Sequence, residues 1–186
     1  MNGGRLRAAL EHAASLYQAW PTPAGEPVRL PDFNVDSAAG VDYVIDLRQP
    51  PGHRIIELDY QGKPLEDGQK LRVAINNYRY SGGGGYDFKD LPVVYRSREE
   101  IRDLIIEYLS RAGAVPVTSN QNWRIEPQEA VDAFREAALR VQSKALPSPL
   151  VPYSGDSIFS PAGLHWGANS GLLAARIPRT AFLAGN

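Results

Sequence analysis

Apolar positions recur at helical spacing near the start of the chain, at Leu6, Ala9, Leu10, Ala13, Leu16 and Tyr17, with Arg5, Arg7, Glu11 and His12 on the other faces. The pattern predicts an amphipathic helix over residues 5–18, ended by Pro21 and Pro23. An irregular proline-rich stretch, residues 21–40, holds Phe33, Asn34, Val35 and Asp36. The period then changes to two. In residues 41–47, Tyr43, Ile45 and Leu47 share one face, and residues 54–60 alternate again, with Ile56, Leu58 and Tyr60 opposed to Ile55, Glu57 and Asp59. Pro50, Pro51 and Gly52 separate these two strands, while Gly62 and the pair Asp67 and Gly68 mark turns before a third predicted strand, residues 70–77. Three strands joined by short polar turns predict an antiparallel meander. Val93, Val94 and Tyr95 are candidates for a further short strand.

Further on, Ser97 and Glu100 have the spacing of a capping box. The helix they open carries Ile101, Leu104, Ile105, Tyr108, Leu109 and Ala112, stops at Gly113, and is assigned to core packing. Trp123, Arg124 and Ile125 form a short extended candidate. Pro127 then fits the first turn of a helix containing Ala130, Val131, Phe134, Ala137, Ala138 and Val141. Pro147, Pro149 and Pro152 read as a linker, and the tail beyond them, with Trp166 and the apolar stretch 171–177, has no periodicity of its own. The pattern as a whole gives an α+β fold, a small mostly antiparallel sheet packed with helices. It would occupy residues 1–145, followed by a proline- and glycine-rich linker and tail over 146–186.

The stretch from Leu71 to Tyr86 stands apart. A β-rich run leads into two adjacent amides, Asn76 and Asn77, then Tyr78, Tyr80 and Ser81, and four consecutive glycines, Gly82 to Gly85, before Tyr86. Glycine admits positive φ and lets a ligand approach the backbone, and tyrosine offers a flat face for stacking on a planar ring. Read that way, the stretch is one wall of a ligand site. Tandem glycines also make ordinary surface turns, and strand tyrosines pack across strands, so the residues alone leave both readings open.

Composition narrows the chemistry. With 22% charged residues and a formal net charge of −1, no global field draws in a nucleic-acid polymer or an anionic membrane, and no apolar run approaches a bilayer span. At 43% apolar the chain has the make-up of a globular protein. Cysteine is absent, which removes thiolate catalysis and cysteine-bound metal. His12, His53 and His165 are dispersed, with no metal-ligand spacing, and His12 alone on a helix reads as a solvated or packed residue. There is no Gly-x-Ser-x-Gly elbow, and the glycine run lacks the Lys-Ser/Thr of a P-loop. Asp42, Asp46, Glu57 and Asp59 lie on predicted strands and read as solvated faces. No residue is therefore assigned to bond breaking.

Several segments resemble one known family in order and spacing. They are residues 6–12, Asn34 to Asp36 with residues 40–43, Arg54 and Ile55, residues 62–65, Val73 through Tyr86, residues 100–109, and Trp123 to Ile125. Together they cover roughly residues 3–126 and resemble the C-terminal domain of the metallophosphoesterase-type 5′-nucleotidases, most closely the 2′,3′-cyclic-nucleotide 2′-phosphodiesterase/3′-nucleotidase branch. The resemblance implies a domain that binds the nucleoside of a nucleotide, beside a separate N-terminal domain holding two divalent metal ions. It implies that Tyr78, after Asn77, stacks on the base, and that Asn76, Asn77, Ser81, Gly82, Gly83, Gly84 and Tyr86 line the substrate. In the family's glycine loop an acid hydrogen-bonds the ribose hydroxyls, and here Gly84 stands in its place. Losing that carboxylate removes a repulsion toward a 2′,3′-cyclic or 3′-phosphate. The metal domain and the strand carrying a second stacking aromatic have no counterpart, so the resemblance implies an N-terminally incomplete piece of a hydrolase, inactive alone. The competing class is a stand-alone nucleotide binder or scaffold. Members of the family are usually periplasmic, secreted or cell-surface proteins, and the chain itself carries no address.

Overall fold

Every residue of strand β1 (Asp42–Asp46) after the first is buried, as expected of a strand with neighbours on both edges and cover on both faces. In the computed structural model, which describes residues 1–31, 33–113 and 121–143, β1 is central in a sheet of order β3-β2-β1-β4. Strand β2 (Ile55–Tyr60) runs antiparallel to β1, β3 (Lys63–Pro64) antiparallel to β2, and β4 (Trp123–Glu126) parallel to β1. The described residues fall into two units, one drawn from residues 1–92 and 122–143 and the other from 93–113 with 121. The predicted linker and tail, residues 146–186, lie outside the described residues.

The α+β class is the one the pattern predicts: the first unit has the sheet with helices α1 (Gly3–Ser15), α2 (Asn77–Tyr80) and α4 (Gln128–Gln142), and the second has helix α3 (Ile101–Ala112). Details differ for physical reasons. The ladder slips between Val44 and Ile45, pairing Ile45 with Ile55 but Val44 with Glu57. The unpaired Ile56 is a bulge, so Ile55 and Leu58 face the core together and Ile56 turns outward, against simple alternation. Gln61 and Gly62 both take positive φ, +55° and +74°, the geometry of a two-residue hairpin turn. That turn makes residues 63–64 the third strand.

The predicted strand over residues 70–77 is not formed. Lys70 makes one bridge, to Asn2, and residues 71–76 run on without a strand beside them among the described residues. Asp46, read as solvated, is buried, its carboxylate accepting from the Arg48 side chain at 2.8 and 3.1 Å. That bonding holds its pKa below the ordinary value. In the second unit, Val93, Val94 and Tyr95 are exposed and form no strand. Ser97 accepts the Glu99 amide at 3.0 Å instead of capping a helix, and α3 starts after Glu100 with no side-chain cap. Gly113 ends α3 as expected, but none of its residues is buried, so the core-packing role assigned to it is not seen.

Helix α1 carries two packing faces. Leu6, Leu10 and Ala14 join Tyr43, Ile45, Leu47, Ile55, Leu58, Leu65 and Ala130 in the main core, while Ala13 joins Tyr86 and Phe88 in a second cluster. The helix thus lies between the sheet and the segment that follows the glycines. Its attachment is polar as well. The Glu11 carboxylate accepts the amides of Arg54 and Ile55 at 3.0 and 2.7 Å. In return the Arg54 guanidinium, 1% exposed, donates to the carbonyls of Ala14, Tyr17 and Gln49 at 2.7, 2.9 and 3.1 Å. A cation at a helix C-terminus satisfies carbonyls that have no partner within the helix.

Two outcomes follow. Arg54→Ala leaves three inward-facing carbonyls without that donor and should lower stability by about 3 kcal/mol, read from the urea midpoint. Arg54→Lys, which keeps charge but not the planar fork, should fall between. Burial raises the pKa of Tyr17 and Tyr43 to about 12. The folded state holds these protons more tightly than the unfolded one. Their contribution is therefore complete below the ordinary value of 10.0 and is lost as pH climbs from there through about 12. Absorbance titration of the phenols should show a component near 12 that shrinks in Tyr17→Phe and Tyr43→Phe and disappears in denaturant.

Candidate functional site

Residues 71–75 lead into the site without regular structure, and Asn76, itself extended, caps α2. Its Oδ1 accepts the Arg79 amide at 2.8 Å. A helical turn sends consecutive side chains in different directions. Here Arg79 is turned inward and 9% exposed, while its neighbour Tyr78 is 55% exposed. The turn closes with the Ser81 amide and hydroxyl donating to the Asn77 carbonyl at 3.0 and 2.8 Å. The chain then passes through Gly82 (φ +93°) into a 3-10 turn, Gly83–Gly85, in which Gly84 and Gly85 have φ of +71° and +82°.

The inward face of this loop is held by residues that are remote in sequence. Arg79 Nε and Nη2 grip the Asp36 carboxylate at 2.8 and 2.7 Å, a bidentate pair. Arg79 Nη1 donates to the Gly83 carbonyl at 3.1 Å and to Asn34 Oδ1 at 3.2 Å. The carboxylate raises the arginine's pKa further above its ordinary value. His12, on α1, lies 2.8 Å by Nε2 from the Gly84 carbonyl, so that nitrogen carries the proton, and its ring meets Tyr86 edge-on at 4.6 Å. The Tyr86 hydroxyl donates to the Asn34 carbonyl at 2.9 Å and accepts the Asp36 amide at 3.1 Å. The guanidinium carbon lies 4.6 Å from the Tyr86 ring centre and 5.2 Å from that of Tyr78.

This packing accounts for the glycines. A Cβ on Gly83 would come within 2.5 Å of the Tyr78 ring, one on Gly84 within 2.1 Å of Arg79 Nη1, and one on Gly85 within 3.1 Å of the His12 ring. Gly83 is thus the seat on which Tyr78 lies.

Of the residues singled out from sequence, Asn76, Asn77, Tyr78, Ser81, Gly82, Gly83 and Gly84 form one continuous surface segment, with Asn77 and Ser81 exposed beside Tyr78. Tyr86 differs. At 4% exposure, with its hydroxyl bonded inside, it holds the loop from beneath. Asn76 is committed to its helix cap. Arg79, Asp36, Asn34 and His12 were not among the predicted site residues. Asp36 and Arg79 are 43 positions apart, and no local spacing links them. Among the described residues no group of three His, Asp or Glu side chains is placed to hold a metal ion.

A family model for the C-terminal domain of 5′-nucleotidases matches residues 1–90. The chain is 28% identical over 183 residues to the trifunctional nucleotide phosphoesterase protein YfkN of Bacillus subtilis, covering 89% of this chain and 12% of that protein. It is 29% identical over 147 residues to the 2′,3′-cyclic-nucleotide 2′-phosphodiesterase/3′-nucleotidase of Haemophilus influenzae, covering 67% of this chain and 22% of that protein. Among solved structures, one assigned as a 5′-nucleotidase from Staphylococcus aureus, in complex with α-ketoglutarate, superposes with a TM-score of 0.58 at 30% identity, over 68% of this chain and 26% of that one. A 5′-nucleotidase precursor from Thermus thermophilus shares the fold, with a TM-score of 0.51 at 23% identity over 68% of this chain and 24% of that one. The chain spans between 12% and 26% of the length of these proteins.

The clamp predicts a ranking of glycine substitutions. At Gly82 an added Cβ meets nothing closer than 3.7 Å, so Gly82→Ala should cost about 1–2 kcal/mol from positive φ alone. At Gly84 the same strain is joined by collision with a guanidinium held by Asp36, and Gly84→Ala should cost about 3 kcal/mol or more. Urea unfolding of the two variants measures the difference.

Proposed function

We propose that this chain, whose residues 1–90 match the family model for the C-terminal domain of 5′-nucleotidases, is the nucleotide-recognition domain of a metal-dependent phosphoester hydrolase, of the cyclic-nucleotide phosphodiesterase or nucleotidase type. The observation that carries the reading is Tyr78. A large aromatic ring with more than half its surface in solvent rests on Gly83 beside the Arg79 guanidinium. One face is thereby supported and the ring is kept from swinging freely. A nucleobase can lie flat against such a ring with little further ordering.

In this reading Tyr78 stacks on the base, and Asn77, Ser81 and the glycine loop contact sugar or phosphate. Position 84 brings no carboxylate, so a 2′,3′-cyclic or 3′-phosphate there meets no repulsion, and phosphorylated nucleotides are favoured over a free diol. The family's pair of divalent metal ions would activate the attacking water and stabilise the oxygens of the displacement. The reading assigns those ions to an N-terminal metallophosphoesterase domain, the partner of this one. No chemical step is placed on this chain. Its role is to hold the nucleoside.

Titration calorimetry with adenosine 3′-phosphate tests the reading. Saturable binding is expected, and Tyr78→Ala should weaken it by the worth of one base stack, about 1–3 kcal/mol or roughly 5- to 150-fold. Binding left unchanged by that substitution would remove Tyr78 from the site. Absence of any binding by the folded wild-type chain would favour a scaffold.

A further inference from the structure

The sequence holds two pairs in which an asparagine or aspartate precedes glycine, Asn2-Gly3 and Asp67-Gly68, and the fold treats them in opposite ways. Such pairs share one reaction: the glycine nitrogen attacks the side-chain carbonyl carbon of the residue before it. Glycine permits this because no side chain crowds its backbone. Ring closure needs the glycine N–H to be free of an acceptor and the preceding side chain to be free to turn. At the first pair neither condition holds. Asn2 Oδ1 accepts the Arg5 amide at 2.9 Å as the cap of α1, and the Gly3 amide, in a buried residue, donates to the Gln69 carbonyl at 2.9 Å. At the second pair both hold. The Gln69 amide donates to the Glu66 carbonyl at 3.0 Å, which closes a turn with Asp67 and Gly68 at its two exposed corners. The Asp67 side chain is 80% exposed, and its ion-pair contact is a distant one, to Arg7 Nε at 3.9 Å. The Gly68 N–H donates to no acceptor among the described residues, and open space surrounds the place of its missing Cβ.

We infer that Asp67 is a site of spontaneous isoaspartate formation. The Gly68 nitrogen bonds to Asp67 Cγ as a Cγ–O bond breaks, and that oxygen leaves as water with the amide proton and the proton of the neutral carboxyl. Water then opens the five-membered imide. Where it adds to the backbone carbonyl carbon of Asp67, the bond from that carbon to the Gly68 nitrogen breaks. The chain then runs through Cβ and Cγ, one backbone carbon longer, and the former carbonyl becomes a free carboxylate. This matters to the fold because the same turn receives the head of α1. The Gly3 and Gly4 amides donate to the Gln69 and Asp67 carbonyls at 2.9 and 3.0 Å, and the first amides of a helix have no acceptor within it. A lengthened backbone between those two carbonyls cannot hold both amides in place. The inference does not rest on the nucleotide reading.

Prolonged incubation of the folded 186-residue chain in near-neutral buffer tests it, read by isoaspartyl methyltransferase labelling of tryptic peptides. Cleavage separates the two pairs into peptides 1–5 and 55–70, because Lys63 precedes proline and is not cut. Label is expected in 55–70 and not in 1–5. Asp67→Glu, which would need a larger ring, should abolish it. In guanidinium the order should reverse, with Asn2 leading, since asparagine is the more reactive of the two once nothing holds it. The isomerised fraction should also unfold at a lower urea concentration than the rest, and equal midpoints would remove the link to α1. No label in 55–70 from the folded chain, equal label in 1–5, or label that survives Asp67→Glu overturns the inference.

Discussion

The geometry of the glycine loop depends on one buried guanidinium. Arg79 reaches inward from a single helical turn, and a charge so placed is tolerated because nearly every donor has an acceptor: two on Asp36, one on the Gly83 carbonyl, one on Asn34. The arrangement works in both directions. Asp36 and Asn34 sit in a proline-rich stretch with no regular structure, and their bonds to Arg79 and Tyr86 are what give that stretch a defined path beside the loop. Charge-assisted bonds between irregular segments replace the ladders that order the sheet.

A second guanidinium does the same for the helix and the sheet. Arg54 ties the end of α1 to the start of β2, and Glu11 on α1 answers it by holding the amides at the head of that strand. The helix is thereby fixed lengthwise, and not by its apolar face alone. This matters to the loop because His12 follows Glu11 directly and holds the Gly84 carbonyl. A slide of α1 along its axis would draw His12 away from the loop and Tyr86. The sheet, α1 and the glycine segment are coupled through adjacent residues on one helix. The relation is mechanical rather than allosteric, since no second state of these elements is present.

How legible this was in the sequence depended on the range of the interaction responsible. The period of apolar residues located α1, β1, β2 and α4, because burial of one face is a local property of the pattern. It failed at Ile56, where a bulge in the pairing between two strands decides the facing. It failed again at residues 70–77, where alternation predicted a strand but Lys70 makes one bridge, residues 71–76 form no strand and Asn77 opens α2. The capping box at Ser97 was chemically sound yet closed a turn one step before the helix. Tyr78 was singled out by its place before the glycines and by the family resemblance. Arg79, one residue further, was not, because its significance rests on partners more than forty positions away.

The glycines themselves separate packing from binding. Their number reads in the sequence as a mark of ligand approach, but Gly83, Gly84 and Gly85 each lie where a Cβ would strike Tyr78, Arg79 or His12. Gly84 is therefore required by the protein's own interior, Gly85 leaves little room beside His12 and Gly83 seats Tyr78, so a run of glycine here says nothing by itself about a ligand. What packing does not explain is Tyr78. A ring this large contributes little to the core when more than half of it is in solvent, and the loop surrenders a side chain at Gly83 to let the ring lie down. A fold selected for stability alone would gain by a Cβ at that position and a polar side chain at the other. Burial gives this phenol no evident return, and its one-sided exposure is what the proposed stacking on a planar ring draws on.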